Sequence, residues 1–277
     1  MTSRTFAAAD LDALSGSYRT NGFVVLRGLY TDGELDALQT ECEAVQEAVR
    51  RGDLGPEHGS AVFLDDALET PSSAVHYVNL VTKVSPLARE ASTHPLLVAA
   101  IERVLGPCWL SEEGFGVVLQ DARPGKESAY TRIGWHSDWQ SGPQLACWPS
   151  TAFTIHIDGT SPANGFLRVA PGSHWWATPA PAADVYGRPG PVGTDVTGGH
   201  SARPAPFPMP LGFEKVPGEV GVYCDRGDVI LHDAYLWHSA ARGTDDATTR
   251  RHLRGGWFAG ADVTPGHGDN FVKNARR

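Results

Sequence analysis

The first fifty residues carry a pattern of apolar and polar positions that predicts one strand followed by one helix. The segment "GFVVLRGLY" (22–30) is rich in β-branched and aromatic residues, which favour a short strand. The next segment, 31–52, repeats leucine and valine near helical spacing. Thr31 and Glu34 have the spacing of a capping box, and Gly52 is placed to end the helix. We therefore expect a capped amphipathic helix directly after the strand.

A second helix is predicted over residues 93–106, "THPLLVAAIERVLG". Thr93 is expected to cap this helix, Pro95 falls in its first turn, and Gly106 follows its last residue. Proline suits the first turn because the backbone N–H groups there have no partner within the helix.

The pattern changes from about residue 107, where the apolar runs become short and are separated by glycine, proline, asparagine and aspartate. Such runs predict strands joined by turns, as in an all-β sandwich or barrel. The earlier helices are expected to pack on the outside of that core. The predicted strands are "FGVVLQ" (115–120), "AFTIHID" (152–158), "GFLRVA" (165–170), "EVGVYC" (219–224), "DVILHD" (228–233) and "RHLRGGWF" (251–258).

Residues 177–212 interrupt this regular spacing of strands. They contain eight of the 20 prolines in the chain. An insert of this length without periodicity is typical of a lid, a binding loop or a disordered segment. No linker divides the rest of the sequence, so we expect a single domain over 1–277 with 177–212 as its lid.

Composition and charge argue against several classes of partner. With 41% hydrophobic residues, a chain of 277 residues can bury a sizeable core. The net charge of -9 argues against nucleic acid or an anionic membrane surface as the main partner, while a small-molecule substrate stays compatible with it. Neither a signal peptide nor a long apolar run is evident, so we expect a cytoplasmic protein. The four cysteines form no CxxC pair, which argues against a zinc ribbon.

The segment "TRIGWHSDWQ" (131–140) brings in the first candidate chemistry. His136 and Asp138 are two residues apart, so on a strand they would point to the same side. Two histidines and one carboxylate form the ligand set of mononuclear non-haem iron oxygenases. His238, where the apolar run of "GDVILHDAYLWHSA" ends, can supply the second histidine, whereas His232 inside that run suits a supporting role.

An oxygenase of this kind that uses 2-oxoglutarate also needs a cation for the far carboxylate of the cosubstrate. Arginine suits this task because its fork matches a carboxylate with two parallel hydrogen bonds. The segment "TTRRHLRGG" (248–256) offers three candidates, Arg250, Arg251 and Arg254.

These motifs in their order resemble the phytanoyl-CoA dioxygenase family of Fe(II)/2-oxoglutarate oxygenases. The resemblance includes HxD at 136–138, "NGFLRVAPGSH" at 164–174, "GDVILHDAYLWH" at 227–238 and the arginine at 250. The opening segment "YRTNGFVVLRGLYTDGELDAL" (18–38) is also similar to that family.

The resemblance implies a mainly β fold, a double-stranded β-helix (a cupin-like jelly-roll) with flanking α-helices. It also implies that Fe(II), 2-oxoglutarate and O2 are the cofactor and cosubstrates. The retained carboxylate argues against the related iron halogenases, in which a small residue replaces it. In the implied site, His136, Asp138 and His238 bind the metal, Arg250 is favoured for the distal carboxylate of 2-oxoglutarate, and Thr131 and Gln120 help to hold that cosubstrate.

The implied reaction is oxidation of an unactivated C–H bond in a small molecule. The excess of arginine (19) over lysine (4), typical of a GC-rich genome, and the insert favour tailoring of a secondary metabolite, by hydroxylation or by oxidative cyclisation on a sugar-containing natural product. Trp139 and Trp176 are candidate substrate contacts, and Arg132 is either a surface charge or a contact for an anionic substrate. His156 is expected to be a satisfied core or pocket histidine. Two other classes stay open: a catalytically silent jelly-roll binding protein, and a cupin-type metalloenzyme that needs no 2-oxoglutarate.

Overall fold

The computed structural model describes most of the chain, with several segments left out. The described residues are 8–60, 77–110, 117–120, 134–141, 151–179, 197–210, 212–241, 243–245 and 248–259. Thr131 and Arg132 lie outside them, as do the middle of the predicted lid (180–196) and residue 211. Within the described part of the chain, no helix combines the length and the apolar character that a bilayer crossing requires.

The predicted helix after the first strand is confirmed, together with its caps. The Thr31 hydroxyl accepts a hydrogen bond from the Glu34 backbone N–H, and the Glu34 carboxylate accepts one from the Thr31 backbone N–H. Gly52 ends the helix in the left-handed conformation, with φ of 79°. The helices of the described residues are α1 (Ala8–Asn21), α2 (Asp32–Arg51), α3 (Val81–Val84), α4 (Pro86–Ser92) and α5 (Pro95–Leu105).

The second predicted helix is confirmed as α5, but the predicted cap was wrong. His94, not Thr93, caps α5, and its ring accepts a hydrogen bond from the Leu96 backbone N–H. Thr93 instead ends α4, where its backbone N–H and hydroxyl both donate to the carbonyl of Arg89. The sequence could not separate the two roles, because the short helix α4 was not predicted.

Within the described residues, the strands form two facing antiparallel sheets and a small third sheet. The large sheet has the order β1-β12-β6-β14-β5-β3-β2, with β4 also paired to β14, and the facing sheet has the order β11-β7-β13. The strands are β1 (Phe23–Leu26), β2 (Gly59–Ser60), β3 (Tyr77–Val78), β4 (Cys108–Leu110), β5 (Val117–Gln120), β6 (Thr151–His156), β7 (Leu167–Val169), β8 (Trp176–Pro179), β9 (Thr197–Gly198), β10 (Arg203–Pro204), β11 (Val220–Val222), β12 (Val229–Asp233), β13 (His238–Ala240) and β14 (Arg250–Ala259).

The two faces of the large sheet have different surroundings. Successive side chains of a strand point to opposite faces, so Leu231 and Leu253 face outward while Ile230 and His232 face the other sheet. The outward face packs against the helices in the main core, which includes Leu35 of α2. The inward face surrounds a cavity between the sheets. The helices therefore cover one side of the sheet and leave the other side available for chemistry.

The predicted lid, 177–212, is only partly described, and its described parts include strands on both sides of 180–196. Strand β8 pairs with β9 on one side and with β10 on the other. The His200 ring contacts the Asp233 carboxylate at 2.8 Å, at the end of β12. This contact attaches the described part of the segment to β12. The role of the segment as a lid stays a prediction.

Candidate active site

The two proposed histidine ligands are held together by the backbone. His136 and His238 form an isolated antiparallel bridge in which each backbone N–H donates to the carbonyl of the other residue. Asp138 then begins a short 3-10 turn, and the Trp139 backbone N–H donates to the Ala234 carbonyl at 3.0 Å. The expectation that His136 and Asp138 share one face of a strand was therefore wrong, since the turn after the bridge brings the carboxylate back toward the histidines.

The three side chains form a compact buried cluster. One ligand atom from each of His136, Asp138 and His238 lies within 4.8 Å of the other two. The His238 Nε2 atom is 3.7 Å from the Asp138 Oδ1 atom, and the two imidazole rings are 4.2 Å apart between centroids. All three side chains are buried, so little water competes for their ligand atoms.

Backbone carbonyls fix which ring nitrogen of each histidine is available. The Nδ1 atom of His136 is 2.9 Å from the Gly134 carbonyl oxygen, and that of His238 is 2.9 Å from the Leu236 carbonyl oxygen. A carbonyl oxygen only accepts hydrogen bonds, so each Nδ1 must carry the proton of the neutral ring. Both Nε2 atoms are then left with a lone pair for a metal.

Electrostatics keeps this cluster in the protonation state that binds cations. Burial, with a smaller effect of His238, lowers the pKa of His136 to about 3, and burial lowers the pKa of His238 to about 4. Burial alone would raise the pKa of Asp138, but the nearby histidines and Arg254 outweigh it, so this pKa is lowered. At neutral pH the cluster therefore offers two neutral imidazoles and one carboxylate, a set that suits a divalent metal.

His232 and Arg254 also lie close to the Asp138 carboxylate. The His232 Nδ1 atom lies 3.8 Å from Asp138 Oδ2, and an Arg254 guanidinium nitrogen lies 4.0 Å from Asp138 Oδ1. The His232 ring also packs 4.6 Å from the His238 ring. This position agrees with the supporting role that the sequence indicated for His232, and it adds Arg254 to the surroundings of the cluster.

The cluster opens into the cavity between the sheets. Its walls include apolar side chains from both sheets, among them Leu167, Ile230 and Ala240. The inward-facing polar and charged residues are contributed mainly by β6, β12 and β14: Thr154, His156, His232, Arg250, His252 and Arg254. A partly apolar cavity with a few converging polar groups is typical of a small-molecule site.

The three candidate arginines fall on two faces of β14. Arg251 points away from the cavity and pairs with the carboxylates of Asp158, at 2.8 Å, and Glu43, at 2.6 Å. Arg250 and Arg254 both line the cavity, since residues an even number of positions apart on a strand point to the same side. Their guanidinium groups have different surroundings. The guanidinium of Arg254 contacts Asp138. The Cα atom of Arg250 lies about 13 Å from that of Arg254 along the strand.

One cavity histidine differs from the sequence expectation. His156 is 3% exposed and lines the cavity, yet neither ring nitrogen has a hydrogen-bond partner among the described residues. Leaving a buried polar group unsatisfied costs roughly 1–3 kcal/mol. The predicted place of His156 in a pocket is confirmed, but its ring is not satisfied by the described residues, which is the arrangement expected where a cavity holds a polar ligand. No sequence signal marks this residue, because the pattern of β6 shows only that it lies on a strand.

Three of the remaining predicted site residues can be placed on the fold, whereas Thr131 and Arg132 lie outside the described residues. Gln120 lies on β5, where its backbone pairs with Arg250. Trp139 is 5% exposed and packs beneath Gly198 and Tyr235, so it is not among the side chains that line the cavity. Trp176 packs edge-on against Phe207, with ring centroids 5.6 Å apart. The substrate contacts predicted for both tryptophans stay predictions.

Comparisons with known proteins agree with this geometry. The model of the family described as Phytanoyl-CoA dioxygenase (PhyH) matches residues 18–252. An ectoine dioxygenase from Bordetella parapertussis is 28% identical over 173 residues, which are 59% of this chain and 50% of that protein. The match thus spans about half the length of that relative.

Solved structures show the same fold at low identity. The epimerase SnoN, in complex with Fe3+, alpha ketoglutarate and nogalamycin RO, has a TM-score of 0.61 and 20% identity, over 94% of each chain. EctD from S. alaskensis, with 2-oxoglutarate and 5-hydroxyectoine, has a TM-score of 0.60 and 16% identity, over 94% of this chain and 78% of that chain. The predicted cupin-like jelly-roll with flanking helices is thereby confirmed.

Proposed function

Because this chain belongs to the phytanoyl-CoA dioxygenase family, we propose that it is an Fe(II)/2-oxoglutarate-dependent oxygenase that oxidises a C–H bond of a small molecule. The observation that carries the proposal is the buried cluster of two neutral histidines and one carboxylate beside a cavity with a distant arginine. Three ligands on one side of a metal leave the other coordination positions for a cosubstrate and O2.

The residues of the cluster would hold iron through the Nε2 atoms of His136 and His238 and one oxygen of Asp138. The two carbonyl contacts at Nδ1 keep both rings oriented, and His232 and Arg254 restrict the Asp138 carboxylate. When bound together, iron, 2-oxoglutarate and O2 supply oxidation of a C–H bond, with the cosubstrate converted to succinate and CO2.

Arg250 is the residue we assign to the distal carboxylate of 2-oxoglutarate. The cosubstrate reaches a metal with one end, so its other carboxylate lies away from the cluster. Arg254 is too close to Asp138 for that role, and Arg251 faces the outside of the sheet. Arg250 is buried in the cavity wall, where a guanidinium can bind a carboxylate with little competition from water. Gln120 and Thr131 belong to the same proposal as further contacts to the cosubstrate.

The proposal also covers the class of substrate. We assign the enzyme to tailoring of a secondary metabolite, by hydroxylation or by oxidative cyclisation on a sugar-containing natural product, within a single domain over 1–277. An epimerase solved with nogalamycin RO has the same fold, and this fold is therefore compatible with a natural-product substrate. Apolar walls beside polar groups suit a substrate of mixed character.

The proposal is tested by anaerobic addition of Fe(II) and 2-oxoglutarate to the purified protein, followed by exposure to O2. We expect a weak visible charge-transfer band that needs both additions, and slow release of succinate in air. Metal binding without the band would favour a cupin-type metalloenzyme that needs no 2-oxoglutarate. A band without succinate release, with any candidate substrate, would favour a catalytically silent binding protein.

A further inference from the structure

The cavity has two ends with different chemistry. At one end Arg254 lies beside Asp138, and it is the arginine whose charge acts on His136 and His238. At the other end the charge of Arg250 is the one that, after burial, most lowers the pKa of His156.

His252 lies between these two ends. It occupies the inward position of β14 between the two arginines, and both of their charges lower its pKa. It is also the cross-strand neighbour of His156. In this register His156, the last residue of β6, lies diagonally across from both arginines, and of the two it is Arg250 whose charge acts on its ring.

The buried His156 ring has no hydrogen-bond partner among the described residues. It is 3% exposed, it lines the cavity, and both of its nitrogens lack hydrogen bonds among the described residues. Burial and the charge of Arg250 lower its pKa to about 3, so the ring is neutral and carries one N–H donor. A donor beside a buried guanidinium matches an anionic acceptor, because both groups can then bind the same oxygens.

We infer that His156 donates a hydrogen bond to the distal carboxylate of the cosubstrate and, together with Arg250, selects 2-oxo acids that carry this group. The inference rests on the proposed function, which places that carboxylate at Arg250. The arginine alone attracts any anion, whereas the single N–H of the imidazole adds a second, directional contact. His156 is in this sense a positioning and specificity residue for the cosubstrate, and it does not contact the metal.

The test combines a residue change with a ligand change. Protein loaded with Ni(II), which binds 2-oxo acids without turnover, is titrated calorimetrically with 2-oxoglutarate and with 2-oxopentanoate, which has the same chain but no distal carboxylate. His156→Leu is expected to weaken 2-oxoglutarate binding by about tenfold or more, as befits a hydrogen bond to a charged group. The same change should alter 2-oxopentanoate binding by less than about twofold, since that ligand offers the ring no acceptor.

Two further variants separate a lost contact from a damaged pocket. His156→Gln keeps an N–H donor and should recover most of the 2-oxoglutarate affinity. His58→Leu removes another buried histidine, whose Nδ1 atom bonds the Asn79 carbonyl outside the cavity, and should leave both affinities unchanged. His156→Phe, a ring of similar shape without a donor, replaces the leucine variant if that variant does not fold.

Each outcome has a distinct meaning. Equal losses for both 2-oxo acids, or no loss for either, would overturn the role of His156 while leaving the proposed function intact. Failure of the wild-type protein to bind 2-oxoglutarate, with Ni(II) bound, would overturn the proposed function and the inference with it.

Discussion

His136 and His238 exchange both of their backbone hydrogen bonds, at 3.0 and 2.8 Å, although they are far apart in the sequence. The backbone therefore brings these two side chains together without help from a metal. The turn that begins at Asp138 completes the cluster from the same short segment. A site assembled in this way should exist before the metal binds, and it should survive the loss of one ligand side chain.

His238→Ala is expected to remove metal binding while leaving the fold in place. The substitution deletes one of three ligands but keeps the backbone N–H and C=O that pair with His136. We expect the affinity for Fe(II) or Ni(II) to fall by more than about 100-fold, since even residues that only orient ligands change metal affinity by about 10–100-fold. Metal content after dialysis measures the loss, and circular dichroism checks the fold. Retention of one equivalent of metal by the variant would contradict the assignment.

The stability of the metal-free protein is expected to fall as the pH drops from 6.5 toward 4. His136, His156 and His238 have pKa values of about 3, 3 and 4 in the folded state, below the ordinary value of about 6.5. Between these limits the unfolded chain binds protons that the folded chain does not. Each such group then lowers the free energy of unfolding by up to about 1.4 kcal/mol per pH unit. Urea unfolding with a chelator at pH 7 and pH 5 measures the loss.

A variant separates this effect from the general action of acid. His156→Leu removes one of the three groups, so the pH dependence of its unfolding free energy should be less steep than that of the wild type. His200 acts in the opposite sense, because its contact with Asp233 raises its pKa. Its contribution to stability is lost as the pH rises through that raised value. Equal slopes for the wild type and His156→Leu would show that His156 is not neutral and buried in the folded protein.

The arginines of β14 allow a matched comparison. Arg250→Ala is expected to weaken 2-oxoglutarate binding to the Ni(II)-loaded protein by about 100-fold, because it removes a buried cation from a carboxylate. Arg251→Ala should leave that affinity unchanged and cost stability of about 1 kcal/mol or less, since its pairs with Asp158 and Glu43 are partly exposed. Calorimetric titration of both Ni(II)-loaded variants with 2-oxoglutarate shows which arginine contributes to its binding. A larger loss of affinity in Arg251→Ala than in Arg250→Ala would refute the assignment.

Much of the site could be predicted from sequence, and the misses have definite physical reasons. The motif at 136–138 and the histidine that ends an apolar run gave three candidate metal ligands, and the structure brings their side chains together. The choice between Arg250 and Arg251 needs the facing direction of β14, which depends on its register with neighbouring strands. The orphaned ring of His156 shows only when burial and partners are known, because satisfied and unsatisfied histidines have the same sequence pattern.

The helices illustrate the same limit on a local scale. The capping box of α2 was readable because both of its partners lie within four residues. Helix α1 was not predicted, since its sequence includes glycine and several polar residues, and it is fixed by packing of Tyr18 and its neighbours on the core. Trp139 was expected near the substrate from its position beside Asp138, which stays a prediction, and the sequence did not show that the turn directs its ring beneath Gly198.

The contact between Gly198 and Trp139 leads to the last prediction, which concerns how the segment 177–212 is fastened to the core. A Cβ atom at Gly198 would lie 2.3 Å from the Trp139 ring, so Gly198→Ala forces β9 or the indole to move. Overpacking of this kind costs about 1–3 kcal/mol. The affected indole follows Asp138 directly, so Ni(II) affinity should fall as well, as the 3-10 turn shifts.

Gly33→Ala is the matched control for this change. Gly33 lies in α2, where an added Cβ meets nothing within 4 Å. Alanine there should be neutral or stabilising by up to about 1 kcal/mol, because it favours the helix. Urea unfolding of both variants gives the stability difference, and calorimetric titration with Ni(II) gives the effect on the site. If Gly198→Ala unfolds at the same urea concentration as the wild type and binds Ni(II) equally well, β9 is not packed on Trp139 as described. The proposed attachment of the segment to the turn that begins at Asp138 is then refuted.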